Sequence, residues 1–340
     1  MQFRILGLVE VQDEQTGLRI LPTGAKQRAL LGALVVKAGH NVSVQRLIDE
    51  LWGEHPPANA DNALHVHVAR LRRLLSGLNG RAPEQHARHA PHSQQPWIVT
   101  TSRGYTLQLA PVETDAAHFQ HLTDQARRVL PGDPGQAGEL LRRALSLWRG
   151  PALEGSVLGG ICAGKAAQLE EHRLTALEMM YGAYLRTGRH CEITGELMEL
   201  TNDHPMREGF YHLLMVALYR CGRQAEALRA YERARNRIVR ELGVEPGPAL
   251  RALMEAILHH DPALATWPGL HPAHPARAAG APPAEPDAAA DDATLPLFEA
   301  IARLHHRIER LQEEQERLLG RFNELTAGTA QRVPAGSVHA

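Results

Sequence analysis

The run Pro56-Pro57-Ala58-Asn59-Ala60-Asp61-Asn62-Ala63-Leu64-His65-Val66-His67-Val68-Ala69-Arg70-Leu71-Arg72-Arg73-Leu74-Leu75 reads as one helix with two unlike faces. Leu64, Val68, Leu71 and Leu75 recur at offsets of four, three and four, which draws an apolar stripe down one side. At about 100° per residue, Asn59, Asn62, Val66, Arg70 and Arg73 fall opposite that stripe. Arg72 and His65 flank them, and no acid joins the set. In the DNA major groove arginine can bridge the acceptors of guanine and asparagine can bridge adenine, so a carboxylate-free face of this kind suits a reading helix. An ordinary amphipathic helix with a solvated basic face satisfies the same pattern. Its neighbours in the chain decide between the two.

Upstream, residues 3–11 and 18–21 alternate or run apolar and are broken by Asp13 and Gly17, the pattern of short antiparallel strands. Residues 26–39 form a helix ended by Gly39. A brief extended link follows, and Ser43 caps a second helix over 44–52 whose core side carries Leu47, Ile48, Leu51 and Trp52. The third helix starts at Pro56-Pro57, where a missing donor would be unpaired anyway. Downstream, residues 77–96 are a polar loop, and residues 97–109 read as two strands around Arg103-Gly104. Strands, three helices and a closing hairpin make a winged helix-turn-helix over 1–110, in which the third helix reads the groove and the wing touches backbone.

Residues 111–260 are almost wholly helix-patterned. Tyr184-Leu185-Arg186-Thr187-Gly188-Arg189 is echoed by Tyr219-Arg220-Cys221-Gly222-Arg223, with Gly188 and Gly222 34 residues apart, the period of tetratricopeptide helix hairpins. Ala225, Ala227, Ala230 and Tyr231 add the small-then-aromatic packing of such repeats. Stacked helix pairs here would bury a continuous core and offer a groove. Residues 261–293 turn to Ala, Pro, Gly and His and read as a flexible linker. Over 294–327, Leu297, Leu304, Leu311, Leu318 and Leu325 recur every seven residues, with Ile301, Ile308, Gln315 and Phe322 at the complementary positions. The pattern indicates a coiled-coil helix, with a single amphipathic helix folded back on the body as the alternative, and the polar Gln315 would fix the register at some loss of stability. Residues 328–340 are a disordered tail. The fold class is therefore mainly α: an N-terminal α+β winged helix, an all-α tetratricopeptide-like domain and a C-terminal coiled-coil helix.

Charge is close to balanced over the 340 residues, with net −1, but it is unevenly spread. Residues 1–110 hold twelve Lys/Arg against eight Asp/Glu, residues 111–260 eighteen against nineteen, and residues 261–340 seven against eleven. A locally positive first domain fits a DNA footprint, whereas the near-zero net charge argues against whole-chain polyanion binding. Cys162, Cys191 and Cys221 are few, odd in number and far apart. They indicate neither a disulfide framework nor a CxxC site, and are expected as buried thiols in a reducing compartment. No signal-peptide pattern and no membrane-length apolar run is present, so a cytoplasmic protein without membrane contact is expected.

Two chemical look-alikes fail on inspection. Gly159-Gly160-Ile161-Cys162-Ala163-Gly164-Lys165-Ala166 nearly spells a phosphate-binding loop, but Ala166 replaces the metal-holding hydroxyl and no parallel-strand unit precedes it. His65 and His67, and the series His86, His89 and His92, have no cysteine or carboxylate at ligand spacing. No metal, no cofactor and no catalytic constellation is expected, and the chain is not read as an enzyme.

Several short matches in order give a resemblance. Phe3-Arg4-Ile5-Leu6-Gly7, Lys26-Gln27-Arg28-Ala29-Leu30-Leu31, Leu47-Ile48-Asp49-Glu50-Leu51-Trp52-Gly53, Pro56-Pro57, Asn62-Ala63-Leu64, Arg70-Leu71-Arg72-Arg73 and Gly104-Tyr105 resemble the OmpR-type winged helix of the Streptomyces antibiotic regulatory protein family. The loop at 77–96 is longer than that pattern. The run from Cys221 to Tyr231, and Glu241-Leu242-Gly243-Val244-Glu245-Pro246-Gly247-Pro248-Ala249-Leu250, resemble the end of the family's bacterial transcriptional activation domain. The resemblance implies a transcriptional activator of an antibiotic biosynthetic cluster that binds tandem direct repeats in double-stranded DNA and helps recruit RNA polymerase holoenzyme. Base contacts then fall to Asn62, His65, Val66, Arg70 and Arg73, and backbone contacts to Lys26, Arg28, Arg72, Arg103 and Tyr105. The heptad leucines imply a homodimer or higher assembly on DNA. A tetratricopeptide-type sensor of a peptide or small ligand is the rival reading.

Overall fold

The computed structural model describes residues 1–13, 17–79, 97–109 and 114–264. Two small antiparallel sheets frame the first three helices. Strands β1 (Gln2–Arg4), β2 (Glu10–Gln12) and β3 (Arg19–Ile20) form one sheet in that order, with Phe3 opposite Val11. Helices α1 (Ala25–Val36), α2 (Val44–Trp52) and α3 (Ala60–Asn79) follow. The two-residue β4 (Val42–Ser43) then pairs with the returning hairpin β5 (Ile98–Thr101) and β6 (Gly104–Leu107), in the order β4-β6-β5. Gly104 sits opposite Ser43, and a β-carbon there would strike the Val42 carbonyl, so only glycine lets β4 and β6 approach.

Residues 3–11 read as one strand-like run, yet the structure folds them back on themselves as β1 and β2. The reason lies in the backbone between them. Residues 5–7 give their polar groups to the helical region instead of to a sheet. Arg149, Leu153 and Glu154 amides donate to the Leu6, Ile5 and Gly7 carbonyls, and the Ile5 and Leu6 amides donate to the Asp115 carboxylate. Three carbonyls and two amides of that buried loop thus find partners outside any sheet.

The helix signals hold with shifts at their ends. Ser43 caps α2, its Oγ accepting from the Arg46 amide, and Gly39 follows α1 with a left-handed φ of 75°. Helix α3 begins at Ala60, not at Pro56-Pro57: the prolines disfavour helical backbone at His55 and Pro56, and Asn59, a residue type favoured in the cap position, stands just before the first turn. The Asn59 carbonyl accepts the first bond of the helix, from the Ala63 amide. At its other end α3 runs through Gly77 to Asn79, past the expected stop at Leu75.

The rest of the described chain is helical: α4 (Asp115–Val129), α5 (Pro134–Leu145), α6 (Gly160–Arg186), α7 (Thr194–Asp203), α8 (Glu208–Arg220), α9 (Gln224–Leu242), α10 (Pro248–Leu258) and a closing 3-10 turn, Pro262–Leu264. Gly188 between α6 and α7, and Gly222 between α8 and α9, have φ of 79° and 74°. At each turn the amide three residues past the helix, Arg189 or Arg223, donates at 2.9 Å back to the carbonyl of Tyr184 or Leu218. This identical six-to-one closure is what makes the two hairpins equivalent. Phe210, Leu214, Ala227 and Ala230 are fully buried where α8 meets α9. The first residues of the expected linker, 261–264, carry a turn; the rest of it, the coiled-coil leucines Leu297, Leu304, Leu311, Leu318 and Leu325, and the tail lie outside the described residues.

The cysteines depart from expectation. Only Cys162 is a buried thiol; Cys191 is exposed and forms a disulfide with Cys221, across a Cα–Cα distance of 5.8 Å. Sequence separation hid the pair, because the repeat brings the two hairpin turns side by side. Among the described residues no helix is long and apolar enough to cross a membrane.

Candidate nucleic-acid interface

Helix α3 is pinned by Leu64, Val68, Leu71 and Leu75, each at most 3% exposed. Burial of each side chain contributes about 1.5–3 kcal/mol, which fixes the roll of the helix. The opposite face then has no choice but to point outward. Asn62, His65, Val66, Arg70 and Arg73 are all exposed. Val66 is 49% exposed, an apolar side chain in the middle of a polar face. Among the described residues no carboxylate pairs with Arg70, Arg73 or Arg103, and Arg103 sits exposed in the turn of the β5–β6 hairpin.

The other basic positions are employed inside the fold. Arg72 is half-buried, and its guanidinium donates to the Ile98 carbonyl at 3.0 and 2.9 Å and to the Thr100 hydroxyl at 2.7 Å. It also lies 5.9 Å from the Tyr105 ring, so it clamps the hairpin to α3. Tyr105 is buried in this packing, with His65 edge-on at 6.2 Å, and burial pushes its phenol up. Arg28 donates to the Gly155 carbonyl at 2.7 Å and the Pro22 carbonyl at 3.2 Å, tying α1 to the helical region. Lys26 stands 5.0 Å over the Trp52 ring. His67 packs on that same ring at 6.0 Å; burial, then the charges of Arg70 and Lys26, hold its imidazole below the ordinary range.

Acidic residues that the sequence did not single out position this surface. Glu50, on α2 and 2% exposed, accepts from the Ile161 and Cys162 amides at 2.6 and 3.0 Å, at the N-terminus of α6. A carboxylate there satisfies orphan donors and the positive end of the helix dipole. The phosphate-loop look-alike is thereby explained: its anion site is filled from within, and Gly159 is needed because a β-carbon would collide with the Glu50 backbone. Lys165 instead donates to Gln168 at 3.0 Å. The visible signal was an acid on the apolar side of α2, among Leu47, Ile48 and Leu51.

A second junction gathers Arg4, Glu10, Asp115 and Arg149. Arg149 reaches Glu10 and Asp115 at 2.9 Å each, and Arg4 reaches Glu10 at 3.0 Å. Burial pushes the Asp115 carboxyl up, while the Ile5 and Leu6 amides and Arg149 pull it back down. In the helical region, a cavity of about 420 Å³ lies between α7, α8 and α9, with Arg233, Arg237 and Arg240 along one wall.

Residues 114–258 match the family described as bacterial transcriptional activator domain, and residues 19–85 match that described as transcriptional regulatory protein, C terminal. The transcriptional regulator RedD of Streptomyces coelicolor is 41% identical over 264 residues, which cover 78% of this chain and 72% of RedD. The regulatory protein DnrI of Streptomyces peucetius is 36% identical, over 78% of this chain and 94% of DnrI. The chain belongs to the Streptomyces antibiotic regulatory protein family. Its match to the regulatory protein AfsR of Streptomyces coelicolor, at 40% identity, spans only 25% of that longer protein. A solved structure of Mycobacterium tuberculosis EmbR in complex with a low affinity phosphopeptide aligns with a TM-score of 0.67 and 32% identity, over 76% of this chain and 65% of EmbR. The family architecture, a winged helix followed by a helical activator region, is the one described above.

Proposed function

We propose that this family member activates transcription of a secondary-metabolite cluster by seating α3 in the major groove of direct repeats near the promoter. The observation that carries the reading is the α3 face itself. Asn62, Val66, Arg70 and Arg73 are held outward by a buried stripe and carry no acid partner among the described residues. Arg70 and Arg73 suit guanine, Asn62 suits adenine, and the exposed Val66 suits a thymine methyl group. His65 stands at the edge of this set. Lys26 and Arg103 serve the phosphates, while Arg28, Arg72 and Tyr105 hold the elements that present them. The helical region, 111–260 by the sequence reading, recruits RNA polymerase holoenzyme, and the heptad leucines of 294–327 bring two chains together. No catalysis enters this scheme.

Footprinting the full chain on genomic DNA tests it most directly. Paired protected sites in the same orientation, upstream of biosynthetic genes, are expected. Protection of inverted sites, or uniform coating without preferred sequence, would overturn the reading.

A further inference from the structure

His190 and Cys191, in the connection from α6 to α7, lie beside Cys221, which caps α8. One ligand-type atom from each of the three falls within 4.8 Å of the others. None of these residues belongs to the α3 face, and none of the histidines weighed from sequence is among them. A disulfide accounts for two members only. His190 has no role in it, yet its Nδ1 is buried without a hydrogen-bond partner. An imidazole whose Nδ1 meets no hydrogen-bond partner offers a lone pair for ligation in the tautomer that protonates the other ring nitrogen. Two sulfurs and an imidazole are the donor set of zinc-class sites, where Zn–S near 2.3 Å and Zn–N near 2.0 Å bring ligand atoms to roughly 3.5–3.8 Å from one another. Thiolate and imidazole also discriminate against magnesium and calcium, which take oxygen ligands.

We propose that the reduced form of this cluster is a metal site of the zinc class, with the Cys191 and Cys221 thiolates and the His190 imidazole as ligands and a fourth position left to water. The disulfide and the metal are mutually exclusive occupants. A dithiol reductant passes two electrons and two protons to the disulfide, becoming a disulfide itself and leaving two protein thiols. Metal binding then releases those two protons, since only thiolates ligate. Either occupant ties the α6–α7 turn to the α8–α9 turn, so the helical region stays clipped in both states. Cys162 plays no part: it is buried, with its thiol pushed up chiefly by burial.

The full chain, reduced and kept anaerobic, is titrated with cobalt(II) as a spectroscopic stand-in. Thiolate-to-cobalt charge-transfer absorption is expected to saturate at one metal per chain and to vanish on adding zinc. Cys191→Ser and Cys221→Ser should each abolish it, and His190→Ala should weaken binding at least about tenfold, the lower end of what losing even an outer-shell partner costs. Cys162→Ser should leave it unchanged. The disulfide form should bind no cobalt. A measurement without variants runs beside these: zinc should slow alkylation of Cys191 and Cys221 in the reduced wild-type chain, read by mass spectrometry. Absent charge transfer in the reduced protein, its persistence in Cys221→Ser, or alkylation indifferent to zinc would each overturn the proposal.

Discussion

Arg70 and Arg72 stand two positions apart on α3 and do opposite work. Arg70 is exposed and unpaired by acids among the described residues, whereas Arg72 spends its guanidinium on Ile98 and Thr100. Arg70→Ala should therefore lose about 1–3 kcal/mol of discrimination between cognate and random DNA. Its melting temperature should stay put. Arg72→Ala should do the reverse, losing about 1–3 kcal/mol of folding stability as the Ile98 carbonyl goes unpaired, and weakening all DNA sequences alike. Equal losses on both DNAs for Arg70→Ala would remove it from the base-reading set. The sequence placed Arg72 beside the basic face correctly; its partners come from a strand 26 residues away, which no helical period can reveal. The histidines carry a pH signature. His67 and His212 are both held below their ordinary value, by burial first and, for His67, by Arg70 and Lys26 next. The unfolded chain binds those protons more readily, so stability should hold above about pH 6.5 and fall as pH drops through the depressed native values. Melting temperatures between neutral and mildly acidic pH measure this, and the double change His67→Gln, His212→Gln should flatten the slope. An unchanged slope would assign the acid loss to other groups.

Elements were legible where one short stretch encodes them and illegible where two distant stretches must meet. The apolar stripe of α3, the Ser43 cap of α2, the Gly39 stop after α1 and the 34-residue period of Gly188 and Gly222 are local or regular, and each was readable from sequence. Glu50 is the contrary case. On its own helix it is a buried acid without explanation; at the N-terminus of α6, 111 residues on, it is a cap. Glu50→Ala should cost roughly 1.5–3 kcal/mol, the range for hydrogen bonds to a charged group, and leave two amides of α6 buried and unpaired. Glu50→Gln keeps one acceptor but turns an N–H toward a donor, so it should fall between the two. Urea midpoints read both. An alanine variant as stable as wild type would show that α6 needs no carboxylate. The same reasoning explains the cysteines: 30 residues of separation looked like isolation until the repeat stacked one hairpin turn on the next.

At the scale of the whole molecule, the winged helix and the helical region share structure that a boundary at residue 110 would cut. The matched regulatory profile begins only at residue 19, and β1 and β2 lie before it. Those strands are held by the far region. The Ile5 and Leu6 amides end on Asp115, and the Ile5, Leu6 and Gly7 carbonyls accept from Leu153, Arg149 and Glu154. Helix α1 adds an apolar contact, Gly32 facing Leu153, and a hydrogen bond in which the Cys162 thiol donates to the Ala29 carbonyl at 3.7 Å. A segment of residues 1–109 expressed alone would give all of this to water. At about 0.5–1.5 kcal/mol net for each of the three backbone–backbone bonds and about 1.5–3 for each of the two to the Asp115 carboxylate, the loss is roughly 5–10 kcal/mol against a typical 5–15 for a whole domain. The isolated segment should therefore unfold at a clearly lower urea concentration than the intact chain. Its DNA affinity should fall because fewer molecules are folded, not because the α3 face has changed. Asp115→Ala in the full chain should move in the same direction, by about 2–6 kcal/mol, since it leaves the Ile5 and Leu6 amides unpaired and takes from Arg149 one of its two carboxylates, Glu10 remaining. If the isolated segment matched the intact chain in urea midpoint and in DNA affinity, the junction would be a mere contact, and the helical region could be assigned no part in holding α3 against DNA.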